Sequence, residues 1–187
     1  MGKYPNHVEQ WCDCVKCGLC HQRRNVVLGR GILPCEVLIV GEAPGESEDV
    51  LGTPFIGTAG RLLSNQIIPQ AVSLCGEFSI AVTNLVACAP WEDRLSSKTR
   101  DPQKEEIEAC SPRLQEFIDM ANAKVIVTLG ELAAKWVPKM QCNKAYLLKL
   151  PHPAALTRIK TQAQKSFAVR QCAVRIASAV AYVRRKE

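Results

Sequence analysis

Apolar and polar positions alternate between two kinds of pattern along the chain. Between Glu36 and Gly41 the run EVLIVG is short, β-branched and closes on glycine, as a buried strand does where it meets a loop. Comparable runs recur at Ser79–Leu85, at Lys124–Gly130 and, more weakly, at Ala145–Leu150, just before Pro151-His152-Pro153. These runs are continuous rather than alternating, which suits strands of a parallel sheet covered on both faces.

Helical spacing fills the intervals. Leu62, Leu63, Gln66 and Ile67 share one face of a helix predicted to begin near Thr58 and to stop before Pro69. Asp101-Pro102 reads as the N-cap and first turn of the next helix, along which Ile107, Cys110, Leu114, Phe117, Ile118 and Ala121 keep helical spacing. Pro112 is expected to break or kink that stretch near Ser111. Glu131–Val137 predicts a short helix ended by Pro138, and Val169, Cys172, Ala173, Ile176, Val180 and Val183 stripe the last one. The alternation predicts an α/β fold, a three-layer α/β/α sandwich around a mainly parallel four-stranded sheet. A single domain over residues 1–187 is expected, with a cysteine-bearing N-terminal segment at about residues 1–35.

Composition narrows the class. Of 187 residues, 47% are apolar and 22% charged, enough for an ordinary core and against a disordered tail or fibrous repeat. No run of 18 apolar residues occurs, so a membrane span is not expected. Ten cysteines are the outlier. The opening Met1-Gly-Lys-Tyr-Pro-Asn-His has no apolar run for export, so a reducing, cytoplasmic location is expected, where clustered thiols hold a metal more often than they pair.

Three motifs carry chemistry. In WCDCVKCGLC, Cys14/Cys17 and Cys17/Cys20 each have the Cys-x2-Cys spacing that lets two thiolates meet one metal centre. Four cysteines overlapped this tightly do not complete one tetrahedral site alone, so two ligands are expected from elsewhere. Cys88 and Cys110, both read as lying at element ends, are the natural candidates; the plain alternative makes them small core residues. The second motif, Gly41-Glu-Ala-Pro-Gly-Glu-Ser-Glu-Asp49, follows the first strand but matches neither nucleotide-loop pattern. Its carboxylates Glu42, Glu46, Glu48 and Asp49 would repel a triphosphate and suit a pocket that reads donor groups or manages a water, with Glu46 read as solvated turn. Third, His152 between two prolines sits in stiff backbone where the fourth strand should end. The Gly41 loop, Asn84 and His152 therefore converge at the carboxyl ends of strands, where open α/β sheets bind ligands.

GEAPGESED, GTPFIGTAGRLL, TNLVACAP and HPAAL, in this order, resemble the iron-sulfur (family 4) branch of the uracil-DNA glycosylase superfamily. CVKCGLCHQRRNVVLGRG resembles that family's cysteine pair and basic lead-in, and the likeness runs from about Cys14 to Arg158. It implies a DNA glycosylase of base excision repair that hydrolyses the N-glycosidic bond of flipped-out uracil, in single- or double-stranded DNA, as a monomer. Cys14, Cys17, Cys88 and Cys110 would hold a [4Fe-4S] cluster, leaving Cys12 and Cys20 unliganded. Gly41, Glu42 and Ala43 would line the base pocket, Phe55 would stack on the base and Asn84 would read its Watson-Crick edge. His152 and Glu42 would be catalytic, and Glu48 would sit near the pyrimidine C5 edge. Leu156 would either enter the gap left by the base or pack as an ordinary core residue, and Arg158 would contact DNA. Further phosphate contacts would come from cations including Arg23, Arg24, Arg94, Lys98 and Arg100, while the Arg184-Arg185-Lys186 end reads as solvated. The net charge of +6 fits a DNA backbone. Two departures stand out: the stretch between Cys88 and Cys110 is several residues longer than usual, and Ala87 and Ala89 replace basic neighbours. Excision of a different base, a cluster-bearing DNA-binding protein without catalysis, and a zinc module on the same cysteines are the competing readings.

Overall fold

The computed structural model describes residues 3–93, 95 and 98–186, so Arg94 lies outside the described residues. Its centre is a five-stranded sheet ordered β1 (Arg30–Gly31), β3 (Ile80–Asn84), β2 (Val37–Gly41), β6 (Val125–Leu129) and β7 (Tyr146–Leu150). Strand β2 pairs in parallel with β3 and β6, and β6 with β7. These are the four expected strands. The fifth, β1, runs antiparallel to β3, Arg30 opposite Val82 and Gly31 opposite Ala81. An Arg-Gly pair has no β-branched run to betray it; backbone pairing alone recruits it to the sheet.

Successive residues of a strand face opposite sides. Val37 and Ile39 join a core with α3 (Thr58–Leu62), α4 (Ile68–Cys75), α7 (Pro153–Thr157) and α8 (Gln162–Arg184). Leu38 and Val40 join the other, with α5 (Lys104–Ala121) and α6 (Glu131–Trp136). With helices on both faces, every residue of β2 and β6 is buried, which is why their runs do not alternate. Helix α1 (Lys3–Trp11) docks on α5, where one carboxylate takes three of its donors: Glu116 bonds the rings of His7 (3.0 Å) and Trp11 (2.7 Å) and the Gln10 amide (3.0 Å). The short α2 (Glu46–Leu51) follows the loop after β2. Among the described residues, no helix is long and apolar enough to cross a membrane.

Four local expectations are corrected. The helix from Thr58 does not stop before Pro69: a π-turn at Leu63–Ile67 joins α3 to α4, and the chain stays helical through Pro69 in the first turn of α4. Helix α5 runs through Pro112 unbroken, because one lost bond is outweighed by a buried face of Ile107, Leu114, Phe117, Ile118 and Ala121. That helix is capped by Gln103 rather than Asp101. Glu106 accepts the Gln103 backbone N–H at 2.7 Å and both arms of Arg100 at 2.9 and 2.7 Å, and this pairing holds its carboxyl below the ordinary range. Finally, Arg184 is not a solvated helix end: its guanidinium grips both oxygens of Glu36 at 2.6 and 2.9 Å and ties α8 to the start of β2.

Much of the long stretch after Cys88 is a small antiparallel hairpin, β4 (Trp91–Asp93) with β5 (Lys98–Thr99). Its Trp91 indole donates to Asp49 at 3.2 Å. Fully buried, Asp49 also accepts the backbone N–H groups of Arg24 (2.9 Å) and Asn25 (3.3 Å). What reads in the sequence as one more loop carboxylate is a hub that fastens the hairpin and the N-terminal segment to α2.

Candidate functional site

Strand β2 has β3 on one side and β6 on the other, so the strand order reverses at its carboxyl end. A cleft of about 410 Å³ opens there, lined by Glu42, Ala43, Glu48, Phe55, Asn84, His152 and Arg158 together with Pro90, Thr99 and Arg100 from around the hairpin.

Gly41 backs this cleft. A Cβ there would overlap Asn84 Oδ1 and come within 2.7 Å of Phe55 Cζ, so only glycine lets these two side chains close on the strand end. Asn84 is the last residue of β3 and 4% exposed. Phe55 holds a left-handed backbone, φ 56°, unusual for an aromatic residue and the kind of strain that concentrates at working sites. Two features enforce it. A Cβ at Gly60 would overlap the Phe55 backbone, and Glu48 accepts the N–H groups of Ile56 (3.1 Å) and Gly57 (2.7 Å). The same carboxylate takes Gly45 N–H at 3.2 Å, closing a capping box on α2. Glu48 thus lies in the cleft as placed by the sequence, with its oxygens committed to shaping the Phe55 loop.

His152 caps α7. Its Nδ1 accepts the Ala154 N–H at 3.2 Å, which leaves the proton of the neutral ring on Nε2. Burial, then the charge of Arg158, pushes its pKa below the ordinary 6.5, against a smaller opposing pull from Glu48. The ring is therefore a neutral Nε2–H donor at neutral pH. Glu42 is half-buried, and burial, followed by the carboxyl of Asp101 with which it shares a hydrogen bond, raises its pKa. Asp101 escaped the sequence reading because it looked like a helix cap.

Arg158 stands exposed at the rim. Leu156 does not: it is 4% exposed and packs in the core with α3 and α8, because in so short a helix its side chain points at the sheet rather than outward. Of its two readings, the packed one is where this structure places it. Of the other cations, Lys98 pairs with Glu92 at 2.7 Å and Arg100 is engaged by Glu106.

On the far side of the β3 end, Cys14, Cys17, Cys88 and Cys110 line one small, almost wholly apolar cavity, with Lys16, Arg23 and Arg113 among its other walls. Cys12 and Cys20 do not line it. Cys110 lies inside α5 rather than at its end. Burial pushes the Cys88 thiol up to about 12 and also raises Cys17, and neighbouring cysteines add to both shifts. The donor set suits a soft, thiophilic centre, since deprotonation here requires a compensating cation. Among the described residues, no group of three or more His, Cys, Asp or Glu side chains is close enough to hold a single metal ion. Arg113, which no sequence signal singled out, is buried between this cavity and β3 and donates to Thr83 Oγ1 (2.8 Å) and to the carbonyls of Asn84 (2.5 Å) and Leu85 (2.9 Å).

Comparison with known proteins gives the same frame. Residues 29–175 match the family model described as the uracil DNA glycosylase superfamily. A type-4 uracil-DNA glycosylase of Sulfurisphaera tokodaii is 43% identical over 76% of this chain and 61% of its own length. Those of Saccharolobus solfataricus (40% identical, 67% and 55%) and Thermotoga maritima (38%, 64% and 58%) are also similar. The matched region thus spans less than two thirds of these relatives' length.

Proposed function

Because this chain belongs to the uracil-DNA glycosylase superfamily, we propose that it hydrolyses the N-glycosidic bond of uracil in DNA, leaving an abasic site for base excision repair. The observation that carries this reading is the convergence of Phe55, Asn84, His152 and Glu42 on one cleft at the switch point of the sheet.

A base stacked in a duplex is out of reach, so it is extruded at a cost of a few kcal/mol. Stacking on the Phe55 ring returns about 1–3 kcal/mol of that. The Asn84 amide donates to a uracil carbonyl and accepts from the ring N–H; cytosine presents the reverse pattern and is rejected. As the glycosidic bond breaks, negative charge gathers on the uracil oxygens and positive charge on the sugar. The Nε2–H of His152 meets the base oxygen without having to lose or gain a proton first. Glu42 orients water toward the sugar carbon: the hydroxyl adds there, the proton passes to the carboxylate, and uracil leaves with the bonding pair. Arg158 at the rim contacts phosphate.

Cys14, Cys17, Cys88 and Cys110 would hold a [4Fe-4S] cluster, which supplies a covalent tie between the N-terminal segment and the domain rather than a step in bond cleavage. The soft donor set gathered on one cavity supports it.

The test is incubation with oligonucleotides carrying one uracil, followed by alkali to cut abasic sites, beside a panel of other bases. Strand cleavage at uracil is expected, reduced with altered base preference in Asn84→Asp. Absence of cleavage at uracil by iron-loaded protein, or undiminished uracil excision by Asn84→Asp, would overturn the reading.

A further inference from the structure

The fully buried Arg113 is 1% exposed, and no carboxylate stands among its hydrogen-bond partners in the described residues. Its three acceptors are a hydroxyl and two backbone carbonyls, and its Nε has no partner at all. Neutral acceptors solvate a guanidinium without cancelling its charge, and a buried charge left uncompensated is strongly destabilising. The other surface Arg113 reaches is the four-cysteine cavity, whose wall it forms with Cys88 and Cys110.

We propose that Arg113 is the fixed counter-charge of the four-thiolate site and, through the same guanidinium, the positioning residue for Asn84. The inference rests on the cluster reading above. Four thiolates around an iron-sulfur core carry a net negative charge, and a cation held in low dielectric beside them offsets it with little screening. Arginine suits both tasks because its planar fork satisfies diverging acceptors at once, which the single ammonium of lysine does not. The Asn84 carbonyl that it grips belongs to the residue whose amide faces the cleft, so slackening the fork lets the amide drift. The Cys88 thiol, pushed up by burial, is pulled back by the charge of Arg23, which also borders the cavity but is half-buried, where water screens it.

The proposal is tested on wild-type, Arg113→Gln, Arg113→Lys and Arg23→Gln holoproteins. Iron and sulfide analysis comes first, then the midpoint potential of the accessible one-electron couple by spectroelectrochemical titration, then inhibition by free uracil. Reduction adds negative charge, so losing a buried cation lowers the potential. The expected result is a lower potential in Arg113→Gln, a potential near wild type in Arg113→Lys, and a smaller shift in Arg23→Gln. Uracil affinity should fall about tenfold in both Arg113 variants, since neither side chain rebuilds the three-way grip. Arg113→Gln that folds by circular dichroism but fails to retain iron, while Arg113→Lys retains it, also supports the counter-charge. A wild-type potential in Arg113→Gln, or wild-type uracil affinity in Arg113→Lys, would overturn the proposal while leaving the cluster intact. Wild-type protein with no iron would overturn the cluster reading and this inference together.

Discussion

Replacing Gly41 with alanine tests the cleft with a single methyl group. The added Cβ would lie 2.7 Å from Phe55 Cζ and overlap Asn84 Oδ1, where carbon atoms rest comfortably at about 3.5–4.0 Å. Relief requires a shift of about 1 Å, which the two side chains must supply because the backbones behind them are held. The Phe55 backbone is wedged against Gly60 and tied through Glu48, and the Asn84 backbone is held by Arg113 and by pairing with Gly41 itself. The methyl therefore spreads the two groups between which, in the proposed reaction, uracil would be held. Overpacking of this kind costs about 1–3 kcal/mol of stability, a fall in Tm of about 2–10 °C for a chain of this size. Misplacing the Asn84 contact costs a comparable amount in the transition state, a loss of about 10- to 100-fold in kcat/KM. Gly29→Ala is the control: its Cβ would overlap the Phe117 ring, remote from the cleft, so it should lower Tm and leave kcat/KM within about twofold. Both are read by thermal melting and by excision from a uracil oligonucleotide at a temperature where each variant is folded. Wild-type kcat/KM in Gly41→Ala, or an equal loss in Gly29→Ala, would refute the reasoning.

Two further outcomes follow from the same geometry. In the proposed mechanism His152 works as the neutral ring, and its pKa is depressed, so kcat should stay level as pH falls through 6.5 and decline only at more acid pH. Arg158→Gln removes a repulsion that opposes protonation and should move that acid limb to higher pH; a His152-dependent inflection at or above 6.5 in the wild type would contradict the placement. Leu156→Ala should behave as a core truncation, losing about 2–5 kcal/mol in denaturant unfolding. Unchanged stability with weakened DNA binding would instead return Leu156 to the surface.

The sheet was legible because its strands are covered on both faces, and a doubly buried strand must be apolar at every position, as Val37–Gly41 and Val125–Leu129 are. The placement of Asn84 and His152 was legible for a related reason: a parallel sheet puts successive strand ends on one edge. What escaped were features fixed by partners distant in sequence. Nothing local in Arg30-Gly31 announces a strand, and nothing local in Arg113 announces a charge buried against β3. Proline misled twice, at Pro69 and Pro112, because its local cost is real but small beside the apolar faces that carry the helix past it. Leu156 stayed open between two readings because a short helix leaves too few turns for its buried side to show in the pattern.

The grip of Glu116 on α1 bears on how four thiols so far apart in sequence come to share one cavity. With three donors from a single stretch of helix fastened to α5, the chain at Trp11 is already anchored, and Cys14 follows after only Cys12 and Asp13. A tether that short presents Cys14 and Cys17 to Cys88 and Cys110 at an effective concentration on the order of millimolar or above. If the four hold a cluster as proposed, much of the entropy of gathering them is met by an ordinary hydrogen-bonded helix contact beforehand, and the set would behave as a chelate rather than as four independent ligands.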